Sequence, residues 1–435
     1  MLLQFSVENY RSLKEKIVLS LEASSEKEHI ENVCRYEKDR ILKSVAVFGA
    51  NASGKSNLFH ALTAAILTVR QSNDRQVGEP LSFIIPYAFD EDSAKRPTEF
   101  EFVFYAEGTK YVYGFSATRD RVITEYLYAY KSAKATTVFE RDEDGIEDEE
   151  GNRTSEKYRF TVPALRSKLK PLVERNTYNK LFIATATAWN CEETRIPMMW
   201  IMNSINTYSP NQYADLLAVT GEMFEKDEDQ SLRHFVKGVL KEADINIADY
   251  EFESKDIPVE QFVSKKNPVG VGTKAELKGK LYHIATLHDI EDGNGHEGRY
   301  QLDMQSESLG TRNLFFLSPI IKRAFETGET VCVDEFDTSL HPMLVVYLVG
   351  LFNNPEANKG NAQLIISSHT MSLLDLKELR RDQIYFVEKK QSNGVTELYS
   401  LDEYSPRLQE DIQKAYMLGR YGAIPVIGEG GALWQ

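Results

Sequence analysis

The chain has only three cysteines, Cys34, Cys191 and Cys332, in 435 residues. They are too few and too scattered for a disulfide framework or a zinc site. Proline is sparse at 14 residues and 42% of the chain is apolar, which fits a folded globular protein and excludes a low-complexity tract. No apolar run approaches the roughly eighteen residues that span a bilayer. The opening Met1-Leu2-Leu3-Gln4-Phe5-Ser6-Val7 alternates like a strand and lacks the basic start and apolar core of a signal peptide. A reducing cytoplasm and no membrane partner are therefore expected. Positive charge is also short. A net charge of −15 counts against wholesale nucleic-acid binding, while a local basic groove stays open. Part of the acidity lies at residues 140–150, which read as a solvated loop.

What is present is a phosphate-binding loop. Gly49, Ala50, Asn51, Ala52, Ser53, Gly54, Lys55 and Ser56 satisfy G-x-x-x-x-G-K-[ST] at every fixed position. The preceding Ser44-Val45-Ala46-Val47-Phe48 reads as a buried strand. After it, Leu58, Ala61, Leu62 and Ile66 recur at helical spacing, with Asn57 and His60 between them. Two glycines let the backbone turn its N–H groups inward, and the helix adds its positive end. Residues 49–57 are thus the candidate nucleotide-binding set. Lys55 is placed to reach the β- and γ-phosphates, and the Ser56 hydroxyl to ligate Mg²⁺.

A second half of the site is legible further on. Thr330-Val331-Cys332-Val333-Asp334-Glu335 is a buried strand ending in two carboxylates. Asp334 is a candidate Mg²⁺ holder and Glu335 a candidate general base. Ser306-Glu307-Ser308-Leu309-Gly310-Thr311 precedes a helix expected over 312–325, and a serine and glycine there make an anion site of amides, hydroxyl and dipole. Gln363–Ser368 is a further strand ending at His369, a candidate γ-phosphate sensor.

Around these motifs the chain falls into three expected parts. Residues 1–160 carry the P-loop and an antiparallel β lobe, with a hairpin through Glu107-Gly108 and a tyrosine-rich strand at 125–130. Residues 161–248 show helical periodicity and scattered Lys and Arg, and read as a helical insertion projecting from the body. Residues 249–435 return to strands, with polar loops at 265–268 and 292–295, and then alternate strand and helix.

The order of P-loop, long insertion, S-x-G signature, Asp-Glu strand and strand-His resembles the ABC-type ATPase heads of SMC, RecF-like and OLD-type proteins. The resemblance covers residues 1 to about 130 and about 280 to 435. It implies an α/β fold, a mixed sheet with flanking helices plus an antiparallel lobe, and ATP and Mg²⁺ as ligands. It also implies a homodimer or higher homo-oligomer, with Ser308, Gly310 and Thr311 of one copy acting in trans on the nucleotide of another. Phe5–Ser12, Gly49–Ser56, Glu307–Thr311, Asp334–Pro342 and Gly419–Pro425 are more similar still to bacterial AAA-family ATPases of phage-defence operons, the RloA and AbiL types. That likeness implies an ATPase partnered by a separate nuclease or toxin. The runner-up is a RecF- or SMC-like repair ATPase that clamps DNA directly. A nuclease of the OLD type in the same polypeptide is not expected, because the roughly 65 residues after His369 leave no room for a Toprim-like domain with its own acidic metal cluster. Arg11 is equally readable as a nucleotide contact or a surface arginine. Asp337 to His341 stand where such heads cross their dimer interface, and Gln71 is a Q-loop candidate by position alone.

Overall fold

The computed structural model describes residues 1–148, 150–209, 213–258, 278–291, 295 and 297–425. The expected loops at 265–268 and 292–294 lie outside the described residues. The chain divides into two compact units. The first comprises Met1–Ser209, Ala324–Asp337 and Val345–Gln435; the second comprises Pro210–Arg323 and Thr338–Leu344.

A six-stranded sheet runs through the first unit. Its order is Ile205–Tyr208, Thr330–Val333, Gln363–Ser367, Ser44–Phe48, Ile384–Lys389 and Thr396–Ser400. The first five are parallel and the last is antiparallel. Val45, Ala46, Val47 and Phe48 are all buried, as a central parallel strand covered on both faces requires. The P-loop follows this strand at its carboxyl end, where open α/β sheets bind ligands. The helix Lys55–Arg70 then leaves the loop, burying Leu58, Ala61, Leu62 and Ile66.

The second sheet is a seven-stranded antiparallel lobe. Its order is Tyr158–Arg159, Thr136–Asp142, Val122–Tyr130, Thr109–Ala117, Thr98–Ala106, Leu2–Glu8 and Ile17–Ser20. The hairpin turns at Glu107-Gly108 as expected. Tyr126 and Tyr128 donate to Glu101 and Glu140 at 2.6 and 2.7 Å, so the tyrosine strand is tied into the lobe.

The expected boundaries at 160 and 248 are not where the units divide. Helices Phe182–Ala188 and Glu192–Asn203 pack into the first unit instead of projecting from it. Trp200 stacks on Phe104 with centroids 4.1 Å apart. Ile205–Tyr208 even forms an edge of the parallel sheet, and Arg70 donates to its Ile205 carbonyl at 2.7 Å. Ile-Asn-Thr-Tyr is too short and polar to announce a strand, so helical periodicity masked it.

In the second unit, helices Tyr213–Glu225 and Ser231–Glu242 accompany a three-stranded sheet, Asp249–Pro258, Lys278–Glu291 and Glu297–Asp303. Phe224, Tyr250 and Phe315 form its aromatic centre, with centroids 5.0 to 5.5 Å apart. The strand sequence 249–303 thus belongs with the helices before it, not with the head that follows.

The acidic run also begins inside the protein. Glu140 and Arg141 lie on the strand Thr136–Asp142 and are only 9% and 2% exposed. Arg141 donates to Glu143 and to the Lys180 carbonyl, and lies 4.0 Å from the fully buried Glu125. The Glu125 carboxylate accepts the amides of Phe182 and Ile183 and the Tyr113 hydroxyl. It thereby satisfies the open N-terminus of helix Phe182–Ala188 from the β lobe. Glu125→Ala should cost about 3–5 kcal/mol, since it leaves two amides and the Tyr113 hydroxyl without their buried acceptor and takes a buried countercharge from beside Arg141. Urea unfolding measures this, and an unchanged midpoint would contradict it.

Candidate nucleotide site

Two close approaches shape the loop. A Cβ on Gly54, whose φ is 111°, would lie 2.4 Å from Thr396 Oγ1. A Cβ on Gly49 would lie 2.4 Å from the Val387 carbonyl oxygen. Only glycine fits either position. Thr396 Oγ1 lies 3.0 Å from the Ser53 carbonyl and 2.8 Å from Ser12 Oγ, and Asn57 Nδ2 donates to Ser12 Oγ at 2.6 Å. The loop is therefore braced from the last strand of the parallel sheet and from the turn after the first strand of the lobe. Arg11 joins the same brace, its guanidinium 3.5 Å from Asn57 Oδ1. Thr396 falls in no motif and Ser12 only at the end of the Phe5–Ser12 likeness, with no role assigned to it; both lie far from the loop in sequence.

Lys55 is buried, and its ammonium donates to the carbonyls of Gly49 and Ala50 at 2.8 and 3.1 Å. Burial pulls its pKa below the ordinary lysine range, against the attraction of Asp334, Asp337 and Glu335. Among the described residues, the buried Ser53 Oγ has no hydrogen-bond partner. A cradle with an orphan hydroxyl and an ammonium resting on its own loop carbonyls is chemically suited to phosphate oxygens.

The acidic strand end is organised by its neighbour. Ser367 Oγ donates to Asp334 Oδ1 at 2.5 Å and accepts the Glu335 amide at 2.7 Å. Glu335 has a φ of 55°, a conformation held by that hydrogen bond and by the following Phe336 amide on the Ser367 carbonyl at 3.0 Å. Asp337 Oδ2 then accepts the His369 amide at 2.6 Å and lies 3.0 Å from Thr370 Oγ1. His369 is held below the ordinary histidine range by lost hydration and by the Lys55 charge, against the pull of Asp337, Glu335 and Asp334. Lys55, Asp334, Glu335 and His369, far apart in sequence, thus share one electrostatic site. Asp337 serves it as the anchor of the His369 backbone, a role that its place in the sequence did not reveal.

A cavity of about 960 Å³ opens beside the loop, between Phe48–Ser53, Ser368 and His369, the strand end at Lys389 and Lys390, and the tail at Ile424 and Pro425. The tail is firmly seated. Phe386 stacks on both Tyr416 and Tyr421, with interplanar angles of 14° and 15°, and Tyr399 donates to the Tyr421 carbonyl at 2.7 Å. Gln71 does not belong to the site. It caps the far end of a 16-residue helix, roughly 24 Å along the axis from the loop at the usual rise per residue.

The signature residues belong to the second unit. Ser308 Oγ accepts the Thr311 amide at 3.1 Å and so caps the helix Leu309–Thr327, which starts earlier than its apolar periodicity suggested. A Cβ on Gly310 would lie 2.3 Å from the Ser339 carbonyl oxygen, so the helix start packs on the segment Thr338–Leu344.

Among the described residues, no group of three or more His, Cys, Asp and Glu could hold a metal ion. Mg²⁺ in a P-loop site draws most of its oxygens from phosphate and water, so one hydroxyl and one carboxylate, Ser56 and Asp334, fit that ion.

A P-loop at the carboxyl end of a central parallel strand, with a strand ending in Asp-Glu one strand away in the same sheet, defines a P-loop nucleotide-binding protein. The chain belongs to the AAA domain family described as "putative AbiEii toxin, Type IV TA system", which it matches over residues 44–194 and 206–375. Members of this ATPase class use ATP with Mg²⁺. No curated protein sequence matches the chain. Similar solved structures include an SMC head bound to the C-winged helix domain of ScpA, at 12% identity and a TM-score of 0.41, covering 92% of this chain and 97% of that one. Another is the SMC head domain from Thermotoga maritima, at 12% identity and a TM-score of 0.38, with 92% and 98% covered. A third is an Smc head derived from Pyrococcus furiosus, bound to the C-terminal domain of ScpA, at 12% and 0.39, with 93% and 97% covered. Among the described residues no helix is long and apolar enough to cross a membrane.

Ser367→Ala removes the link between both carboxylate residues while leaving the P-loop untouched. Turnover should fall roughly tenfold or more, the usual effect of losing a hydrogen bond to a charged group. Nucleotide affinity should stay within about threefold, because the phosphate cradle keeps its contacts. Single-turnover hydrolysis beside equilibrium binding of a fluorescent nucleotide separates the two, and an equal loss of both would contradict this assignment.

Proposed function

We propose that this protein is an ABC-type head ATPase that pairs with a second copy around ATP and controls a separate effector, a nuclease or toxin, in bacterial antiphage defence. One observation carries the catalytic part. Ser367, on the strand that leads to His369, hydrogen-bonds the Asp334 carboxylate and the Glu335 amide, so both acidic residues and the histidine form one linked block beside Lys55. A block of that kind suits a site in which the state of the γ-phosphate is passed to the backbone.

In this reading the amides of residues 49–57 and the Lys55 ammonium bind the phosphates. Ser56 and Asp334 hold Mg²⁺, which neutralises charge on the phosphate oxygens. Glu335 takes the proton of the attacking water, and His369 hydrogen-bonds toward the γ-phosphate. Ser308 and the start of helix Leu309–Thr327 act on the nucleotide of the second copy through hydroxyl, amides and dipole, as Gly310 and Thr311 allow. Association is then favoured with ATP and lost after hydrolysis. The defence role and the effector rest on the family and on the likeness to operon-encoded ATPases, since fold alone does not assign function.

Glu335→Gln should bind ATP, turn over at least about a hundredfold more slowly, and accumulate as a dimer in light scattering. Lys55→Ala should bind no ATP and remain monomeric under the same conditions. Wild-type turnover in Glu335→Gln would remove Glu335 as the base. Coexpression with the neighbouring genes of its operon, with and without ATP, tests the effector. A stable nuclease or toxin subunit supports the reading, whereas a lone protein with DNA-stimulated turnover would replace it.

A further inference from the structure

The residue before the signature serine carries a feature that the nucleotide site does not use. Glu307 is nearly buried, its side chain 10% exposed, and its Oε1 accepts from Thr286 Oγ1 at 2.6 Å and from His288 Nε2 at 2.8 Å. The other ring nitrogen of His288, Nδ1, faces the Asn246 carbonyl oxygen at 2.5 Å. Both nitrogens therefore face oxygen atoms, and Nε2 also lies 3.1 Å from Thr286 Oγ1. His288 and Glu307, 17% and 10% exposed, are thus joined side chain to side chain, with His288 in the middle strand of the three-stranded sheet. Thr286 beside it is completely buried and is paired on both sides, opposite Tyr250 and Leu302.

Glu307 is one peptide bond from Ser308, whose hydroxyl caps the helix Leu309–Thr327. On the other side of the cap, Gly310 lies against the Ser339 carbonyl. The helix start is thus gripped from two directions, by Ser339 through backbone contact and by His288 through Glu307. Backbone contact at Gly310 fixes a distance. The contacts of the Glu307 side chain restrain the residue that precedes Ser308.

We propose that His288 is a positioning residue for the signature, orienting Ser308 and the amides behind it toward the nucleotide of a second copy by holding Glu307. This rests on the trans-signature reading given above. It assigns His288 no contact with nucleotide and no part in binding ATP to the copy that carries it.

The test uses the full chain with His288→Gln, Glu307→Gln and Ser308→Ala, each also in a Glu335→Gln background. Glu307→Gln keeps an acceptor for Thr286 at nearly the same shape, so it stands in should the histidine variant fold poorly. Affinity for a fluorescent ATP analogue should stay at the wild-type value in His288→Gln and Glu307→Gln, with at most a modest fall in thermal midpoint, since Gln keeps a hydrogen-bonding group at each position. Their kcat should fall roughly ten- to hundredfold with little change in KM, the scale of a displaced reacting group. Their ATP-dependent dimer in the Glu335→Gln background should weaken by a similar factor. If Ser308→Ala is impaired while both other variants turn over and dimerise like wild type, the positioning role is wrong and the trans signature stands. If Ser308→Ala itself behaves as wild type, the trans signature fails and this inference fails with it. A joint loss of ATP affinity and thermal midpoint in both positioning variants would also overturn it, marking the pair as part of the folding core.

Discussion

The hydroxyl of Ser367 is the contact on which the site depends. Its strand lies between the strand that ends in Asp334 and the strand that leads into the P-loop. From that position one oxygen donates to the Asp334 carboxylate and accepts the Glu335 amide. The next residue, Ser368, donates its amide to the Val47 carbonyl at 3.1 Å, on the other neighbour. Three strands are thereby locked at their carboxyl ends, where the ligand-facing loops begin. Any displacement of His369 along its strand must pass through a hydrogen bond to the carboxylate residues or to the loop strand.

The same logic extends around the loop. Thr396 and Ser12 come from opposite ends of the chain and meet over Gly54, whose lack of a side chain permits the approach. The tail is held by stacked rings and forms the outer wall of the cavity, with Gly422 in a left-handed turn against Glu388 and Tyr399. Polar groups at short range supply direction here, while the aromatic stack around Phe386 supplies the rigidity that makes direction useful.

In the second unit the balance is reversed. Its helices and sheet are joined mainly by the aromatic cluster of Phe224, Tyr250 and Phe315, which is strong but weakly directional. Orientation of the helix start is left to a few polar contacts, Ser308 on its own helix and Glu307 on Thr286 and His288. Such a division suits a segment whose angle matters more than its contribution to stability.

The P-loop, the acidic strand end, the strand before His369 and the hairpin of the lobe were legible in the sequence because each is local. Their chemistry needs residues a few positions apart, on a strand or loop whose period shows in the amino acids. The family likeness was legible for the same reason, being a series of short motifs in order. What the sequence could not determine was which distant residues complete them. Ser12, Ser367, Asp337 and Thr396 act through partners 32 to 384 positions away, and even where a motif spans them nothing local names those partners. The short strand Ile205–Tyr208 is a strand because Thr330–Val333 offers it an open edge, not because Ile-Asn-Thr-Tyr demands it. Glu140 and Arg141 looked solvated in a run of acids, and it was Glu125, buried across the sheet, that gave the arginine a reason to be inside. Local pattern decided the elements and their chemistry; packing of remote segments decided which side chains share a charge, a proton or an edge.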